Sequence, residues 1–242
     1  MIAADVLRTL TNSVGSDVLS ASLAALGTAA FGITRIVVTK LLPARRTFRF
    51  ESGGKLLIIV ASSALVDTGT YKRPTTGIGQ VRALSILSPI LARAYRDVNL
   101  ERVRLSSEVG GPDLDNDLLV IGGPKNSIVA DLLLKRLGSR MPLTVEGNVI
   151  TWGGKSYEGP ADEGGVFHDF GYIVRAVHPM YPRRRVVIVA GSHTYGTAAA
   201  ARWLADQGGS RRLPAGVAVL VEVDVVWGHI GAPQVIREEA LG

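Results

Sequence analysis

The chain has 242 residues, 47% of them hydrophobic, with no cysteine and a formal net charge of +6. That length and apolar content suit one medium domain with an appendage, and the missing cysteines exclude disulfide scaffolds, thiolate metal sites and cysteine nucleophiles. A basic chain raises nucleic acid as a partner, but the excess is local: residues 1–50 hold six basic and two acidic side chains against 21 and 19 in the remainder, so nucleic acid is not expected.

Val18 to Thr34 carries no charged residue, and the apolar character resumes after Arg35 through Ile36, Val37 and Val38. About 20 apolar residues span a bilayer, so residues 18–39 read as a candidate membrane helix if Arg35 snorkels to the interface. Ser20, Ala24, Thr28 and Gly32 fall at i, i+4 spacing, a ridge of small side chains suited to self-association, and a homo-oligomer is expected. Arg35, Lys40, Arg45, Arg46 and Arg49 follow before any acid, and the positive-inside rule then assigns the C-terminal domain to the cytoplasm. The alternative is an Ala-rich helix packed on protein, with the whole chain cytoplasmic. The expected division is a hydrophobic helix and basic linker over residues 1–50 and a ligand-binding domain over 51–242.

Leu56–Val60 has the uniform apolar run of a buried strand and leads into Ala61-Ser62-Ser63. A long loop follows with Asp67, Thr75, Thr76 and Gly79, dense in hydrogen-bonding groups. Thr75 or Thr76 is placed to cap a helix from Ile78 to Tyr95, which Pro89 would kink or interrupt. Arg102–Ser106 reads as a second strand. Asp113, Asp115 and Asp117 then alternate, but with no Gly at the sixth position and no Glu at the twelfth they do not make a calcium loop. They read as solvated turn and cap residues.

Leu118–Ile121 repeats the first pattern: a strand, a Gly122-Gly123 turn, and a helix from Ser127 to Leu137 capped by Asn126 or Ser127. Lys125, beside that helix start, suits a phosphate or carboxylate. Leu143–Tyr157, with Gly147-Asn148 and Gly153-Gly154, reads as a β-hairpin insertion able to cover a pocket. Phe170–Val177 is a further strand. Val186–Val189 then breaks into Gly191-Ser-His-Thr-Tyr-Gly-Thr197 and an Ala-rich helix to Leu204. Gly191 and Gly196 would let the backbone approach a ligand, and the helix would turn free N–H groups and its positive end toward an anion. Val217–Trp227 is the last strand, with Glu222 and Asp224 on the exposed side of an edge.

The expected fold is α/β, a Rossmann-like, mostly parallel sheet with helices on both faces. The loops after three strands define the expected ligand site: Ser62, Asp67, Thr75, Thr76, Gly79, Gly122, Gly123, Lys125, Asn126, Gly191, His193, Thr194, Gly196 and Thr197. Thr197 stands where a P-loop requires Lys, and no GxGxxG follows the first strand, so neither an ATPase nor a dinucleotide dehydrogenase is expected. The four histidines have no metal-ligand spacing, and neither metal nor cofactor is expected.

Gly122-Gly123-Pro124, and Gly196-Thr197 opening a helix after a core strand, resemble the LOG/DprA-like (SLOG) Rossmannoid domains and the neighbouring TIR-like and deoxyribosyltransferase-like nucleotide folds, over roughly Leu56 to Leu204. Enzymatic LOG members carry a PGGxGTxxE pattern whose glutamate supports N-glycosidic bond cleavage. Gly196-Thr197 matches the GT pair, and Ala200 stands at the glutamate position. The resemblance therefore implies a nucleotide sensor lacking that acid, of the kind that bacterial signalling systems fuse to membrane helices. The alternative is an N-glycosidic hydrolase or transferase with Glu108 or Asp67 as its acid. A third reading takes the Gly-rich turns as tight strand–helix connections only.

Overall fold

A computed structural model describes residues 41–162, 165–208 and 213–241; the expected membrane helix at residues 18–39 lies outside them. Among the described residues no helix is long and apolar enough to cross a membrane. Pro43–Gly242 forms one compact unit, so Arg45, Arg46 and Arg49 belong to it as part of, or next to, the short helix α1 (Leu42–Phe48). Arg175, buried in the sheet, holds this segment: its guanidinium donates to the carbonyls of Arg46 (2.9 Å) and Thr47 (2.6 Å), and also to that of Pro214.

The sheet is mixed. β1 (Leu56–Val60), β4 (Val103–Leu105), β5 (Asp117–Ile121) and β12 (Arg185–Gly191) run parallel in the order β4-β1-β5-β12. Beyond β12 the strands turn antiparallel through β11 (His168–Val177) and β13 (Val217–Val226). The outer side of β13 pairs with β15 (Gln234–Ala240) and, further along, with β14 (His229–Ile230). Uniformly apolar strands form here because both faces are covered. Ile58, Leu119, Ile121, Val187 and Val189 face α2 (Ile78–Ala94), α4 (Thr194–Gln207) and Phe48 of α1. Leu57, Ile59, Leu118, Val120 and Ile188 face α3 (Ile128–Leu137) and the 143–157 segment. The α/β class and the helices on both faces thus stand as expected.

Several local expectations are corrected. Neither Thr75 nor Thr76 caps α2: their hydroxyls donate to the carbonyls of Ala64 (3.0 Å) and Ala61 (2.8 Å), and the cap position is Gly77. Pro89 does not interrupt α2, which runs on to Ala94; the carbonyl that its missing N–H would have reached is that of Ser85, an exposed residue. Ser127 caps α3, accepting from the Ala130 N–H at 3.1 Å. Asp117 is not solvated but wholly buried, accepting from the N–H groups of Glu51 (2.9 Å) and Arg185 (2.8 Å), and burial pushes its carboxyl above the usual range. The 143–157 insertion is a three-stranded meander, β6 (Leu143–Glu146), β7 (Val149–Trp152) and β8 (Lys155–Tyr157), in which Gly153 and Gly154, both at positive φ, make the second turn.

β13 is not an edge strand, because β14 and β15 cover it. On its inner side the pairing with β11 sets Glu222 and Asp224 beside His168, whose ring nitrogens are 3.6 Å and 2.8 Å from their carboxylates. Val226 pairs with His229 across a two-residue turn in which Trp227 (φ 51°) and Gly228 (φ 74°) are both left-handed. The remaining short pairs are β2 (Ala64–Asp67) with β3 (Lys72–Thr75), and β9 (Ala161–Asp162) with β10 (Gly165–Val166).

Candidate functional site

β1 lies between β4 and β5, so the chain leaves it first to one side and then to the other. Open α/β sheets bind ligands outside the carboxyl ends of the strands at such a switch point. The ladder continues to the turns there, with the Ala61 N–H donating to the Ile121 carbonyl (2.9 Å) and the Gly122 N–H to that of Val189 (2.8 Å). Above these turns is a cavity of about 220 Å³. Ser63 reaches it from β1, Gly77 and Gln80 from the start of α2, Gly123, Lys125 and Asn126 from β5, and Gly191 to Thr194 with Thr197 from β12. Val145, Gly147 and Asn148 of the meander close one side, as the insertion was expected to do.

Half of the predicted site residues line this cavity: Gly123, Lys125, Asn126, Gly191, His193, Thr194 and Thr197. The Ser62 hydroxyl is turned to that of Ser107 at 3.0 Å. Asp67 is exposed at the β2–β3 turn, accepting from the Gly69 N–H at 2.8 Å. Thr75 and Thr76 hold the base of that hairpin. Gly79, Gly122 and Gly196 are glycines for reasons of packing rather than binding: a Cβ would strike the Thr194 carbonyl at Gly79, the Ala61 side chain at Gly122 and the Phe170 carbonyl at Gly196. Gly191 faces the backbone of Gly196 and Thr197 in the same way.

The expected anion cradle at the start of α4 is already filled. Asp169, wholly buried on β11, accepts from the N–H groups of Phe170 (2.8 Å) and His193 (3.1 Å) through one oxygen and of Gly196 (2.6 Å) through the other. A carboxylate at a helix N-terminus satisfies the unpaired donors and the dipole together. Burial raises the Asp169 carboxyl above its ordinary range, opposed by these donors and by His193. The open helix end at the cavity is that of α2, whose cap residue Gly77 supplies no side-chain bond.

Lys125 donates to the Asn148 side chain at 3.2 Å, and the Ser192 hydroxyl to the Asn148 carbonyl, which ties the meander over the cavity. The His193 Nε2 lies 2.9 Å from the Gly159 carbonyl; with its proton there, Nδ1 is left as an acceptor. Behind Gly123 lies the wholly buried Tyr172 hydroxyl, without a hydrogen-bond partner among the described residues; burial alone pushes its pKa up. A Cβ at Gly123 would come within 3.4 Å of it.

No carboxylate lines the cavity among the described residues, and none of their His, Asp and Glu side chains group into a metal site. Glu108 is spent on the Leu105 N–H at 3.3 Å, and Ala200 is wholly buried, its Cβ 3.0 Å from where a Cβ on Gly171 of β11 would stand. Ser63, Gly77, Gln80 and Ser192 escaped the sequence reading, and of the meander only its place over a pocket was expected, not the residues Val145, Gly147 and Asn148. Only the Gly147-Asn148 turn carried a local signal, and which strand end it covers is a tertiary fact.

Fold and cavity together define the class, an α/β domain with a polar cavity at the switch point of its parallel strands. No protein-family model matches the chain, and no curated protein matches it.

Proposed function

We propose that this domain binds a small phosphorylated molecule of the nucleotide class in the switch-point cavity and reports its presence as a membrane-tethered sensor, with residues 18–39 as the anchor and the domain on the cytoplasmic side. The observation that carries the reading is the make-up of the cavity wall. It combines the Lys125 ammonium, the uncapped start of α2 at Gly77, and the amide or hydroxyl groups of Gln80, Asn126, Ser63 and Thr194. An anion gains from the ammonium and the helix end together, and no acid in the described wall repels it. The amides and hydroxyls suit a ribose or a base edge. At about 220 Å³ the space is below the roughly 300–1,000 Å³ of pockets for larger ligands, so it fits a sugar phosphate with the base toward the mouth. With Glu108 and Asp67 both outside, the wall favours holding such a ligand over cleaving its N-glycosidic bond.

Titration calorimetry of the full chain with a nucleoside 5′-monophosphate, the parent nucleoside and inorganic phosphate tests this. The monophosphate should bind more tightly than either fragment. A hydrogen bond to a charged group contributes about 1.5–3 kcal/mol, so Lys125→Ala should weaken binding by roughly 10- to 100-fold. Equal affinity in Lys125→Ala, or no binding by any phosphorylated member, would overturn the assignment.

A further inference from the structure

Trp227 combines two unfavourable features. Its side chain is 95% exposed, and its backbone is left-handed, at φ 51°, where a bulky residue is an outlier. The partner position Gly228 suits such a turn, as Asn or Gly would at position 227. An exposed indole held in a costly conformation points to use rather than accident. Trp227 itself forms one wall of an apolar groove of about 300 Å³, the rest of which is lined by Phe167, Val166, Tyr195 and Val226 among others. Phe167 (57% exposed), Val226 (62%) and, across the hairpin on α2, Val81 (47%) extend the patch.

We propose that this patch is a two-fold interface between copies of this chain, in which Trp227 of each copy seats in the other copy's groove. Three observations select a second copy as the occupant. Knob and hole lie side by side on one surface, which is what an isologous contact requires, and the groove has room for one indole. The flanks differ in charge: Asp224, its side chain 81% exposed and 2.8 Å from His168, lies on one face of the hairpin, and Arg82, with Arg202 and its helix partner Asp206 (3.6 Å), lies on the other. A two-fold axis through the hairpin sets one flank against the other copy's opposite flank. The area is also sufficient, because an aromatic side chain removes roughly 150–250 Å² on burial. Trp227, Phe167, Val226 and Val81 then supply on the order of half of the roughly 800 Å² per partner in a standard interface, and the polar flanks supply the rest.

Iodide quenching of the full chain in detergent reads this contact. Of the three tryptophans, Trp152 and Trp203 are 6% and 4% exposed, so quenching reports Trp227. The expected result is a shielded Trp227 at tens of micromolar, with quenching several-fold greater in Phe167→Glu and in Val226→Glu, which charge the groove and leave the indole in place. Adding excess Trp227→Phe chain, which keeps an aromatic wall to the groove and has no indole at that position, should shield Trp227 of the Phe167→Glu chain again. Free quenching of the wild type at all concentrations, quenching that both groove variants leave unchanged, or no rescue on mixing would each overturn the proposal. So would shielding that appears only when anionic lipid vesicles are added, which would make the occupant a membrane.

Discussion

Removing the carboxylate of Asp169 tests whether the start of α4 is held from within. Asp169→Ala leaves the N–H groups of Phe170, His193 and Gly196 without their acceptor in a buried setting. An orphaned buried donor costs about 1–3 kcal/mol. The Phe170 and His193 donors share one oxygen, so counting that pair as one loss and Gly196 as a second gives about 2–6 kcal/mol. That is a large part of the roughly 5–15 kcal/mol of a typical domain. Asp169→Asn keeps an oxygen for Phe170 and His193 but turns an amide N–H₂ toward the Gly196 N–H, so it should lose about 1–3 kcal/mol. Urea unfolding followed by circular dichroism measures both. The reasoning fails if Asp169→Ala costs less than about 1 kcal/mol, the size of an ordinary exposed cap, or if Asn is no better than Ala.

His178 should make stability depend on pH. Burial pushes its pKa down to about 4 from 6.5, and its Nδ1 accepts from the N–H groups of Met180 (3.1 Å) and Tyr181 (3.2 Å), which protonation would break. The unfolded chain then binds the proton more readily than the folded one. Stability is complete above about pH 6.5 and falls through the window down to pH 4, by up to roughly 3 kcal/mol. His178→Gln should flatten unfolding curves across that window. Trp227→Gly relieves the left-handed strain, worth about 1–2 kcal/mol, less the backbone freedom that glycine adds to the unfolded chain; a domain kept monomeric should melt higher or unchanged, and a fall in melting temperature would contradict the turn geometry. If residues 18–39 are an anchor, the full chain should stay with membranes through a carbonate wash, whereas the chain from residue 41 should be released to the supernatant.

The buried strands were legible because parallel strands covered on both faces must be apolar at every position, as Leu56–Val60 and Val186–Val189 are. β15 was not, since most of Gln234–Ala240 is exposed and its pattern is set by the strand it covers. The glycines were legible as places of close approach but not for what approaches: at Gly79, Gly191 and Gly196 it is backbone of the same chain. Asp169 stands 27 residues before Gly196, whose N–H it accepts, and no local pattern announces a cap from that distance. The cavity was therefore found from the loops after β5 and β12, while its α2 and meander walls depended on tertiary placement.

The ligand site itself is tested most directly by amide chemical shifts of the full chain titrated with a nucleoside 5′-monophosphate. The predicted response is confined to Ser63, Gly77, Gln80, Gly123, Lys125, Asn126, Val145, Gly147, Asn148, Gly191 to Thr194 and Thr197, with the Gly196 N–H, held by Asp169, moving least of the α4 start. Shifts centred on Gly196 with none at Gly77 or Lys125, or no saturable shifts at all, would contradict the switch-point cavity as the binding site.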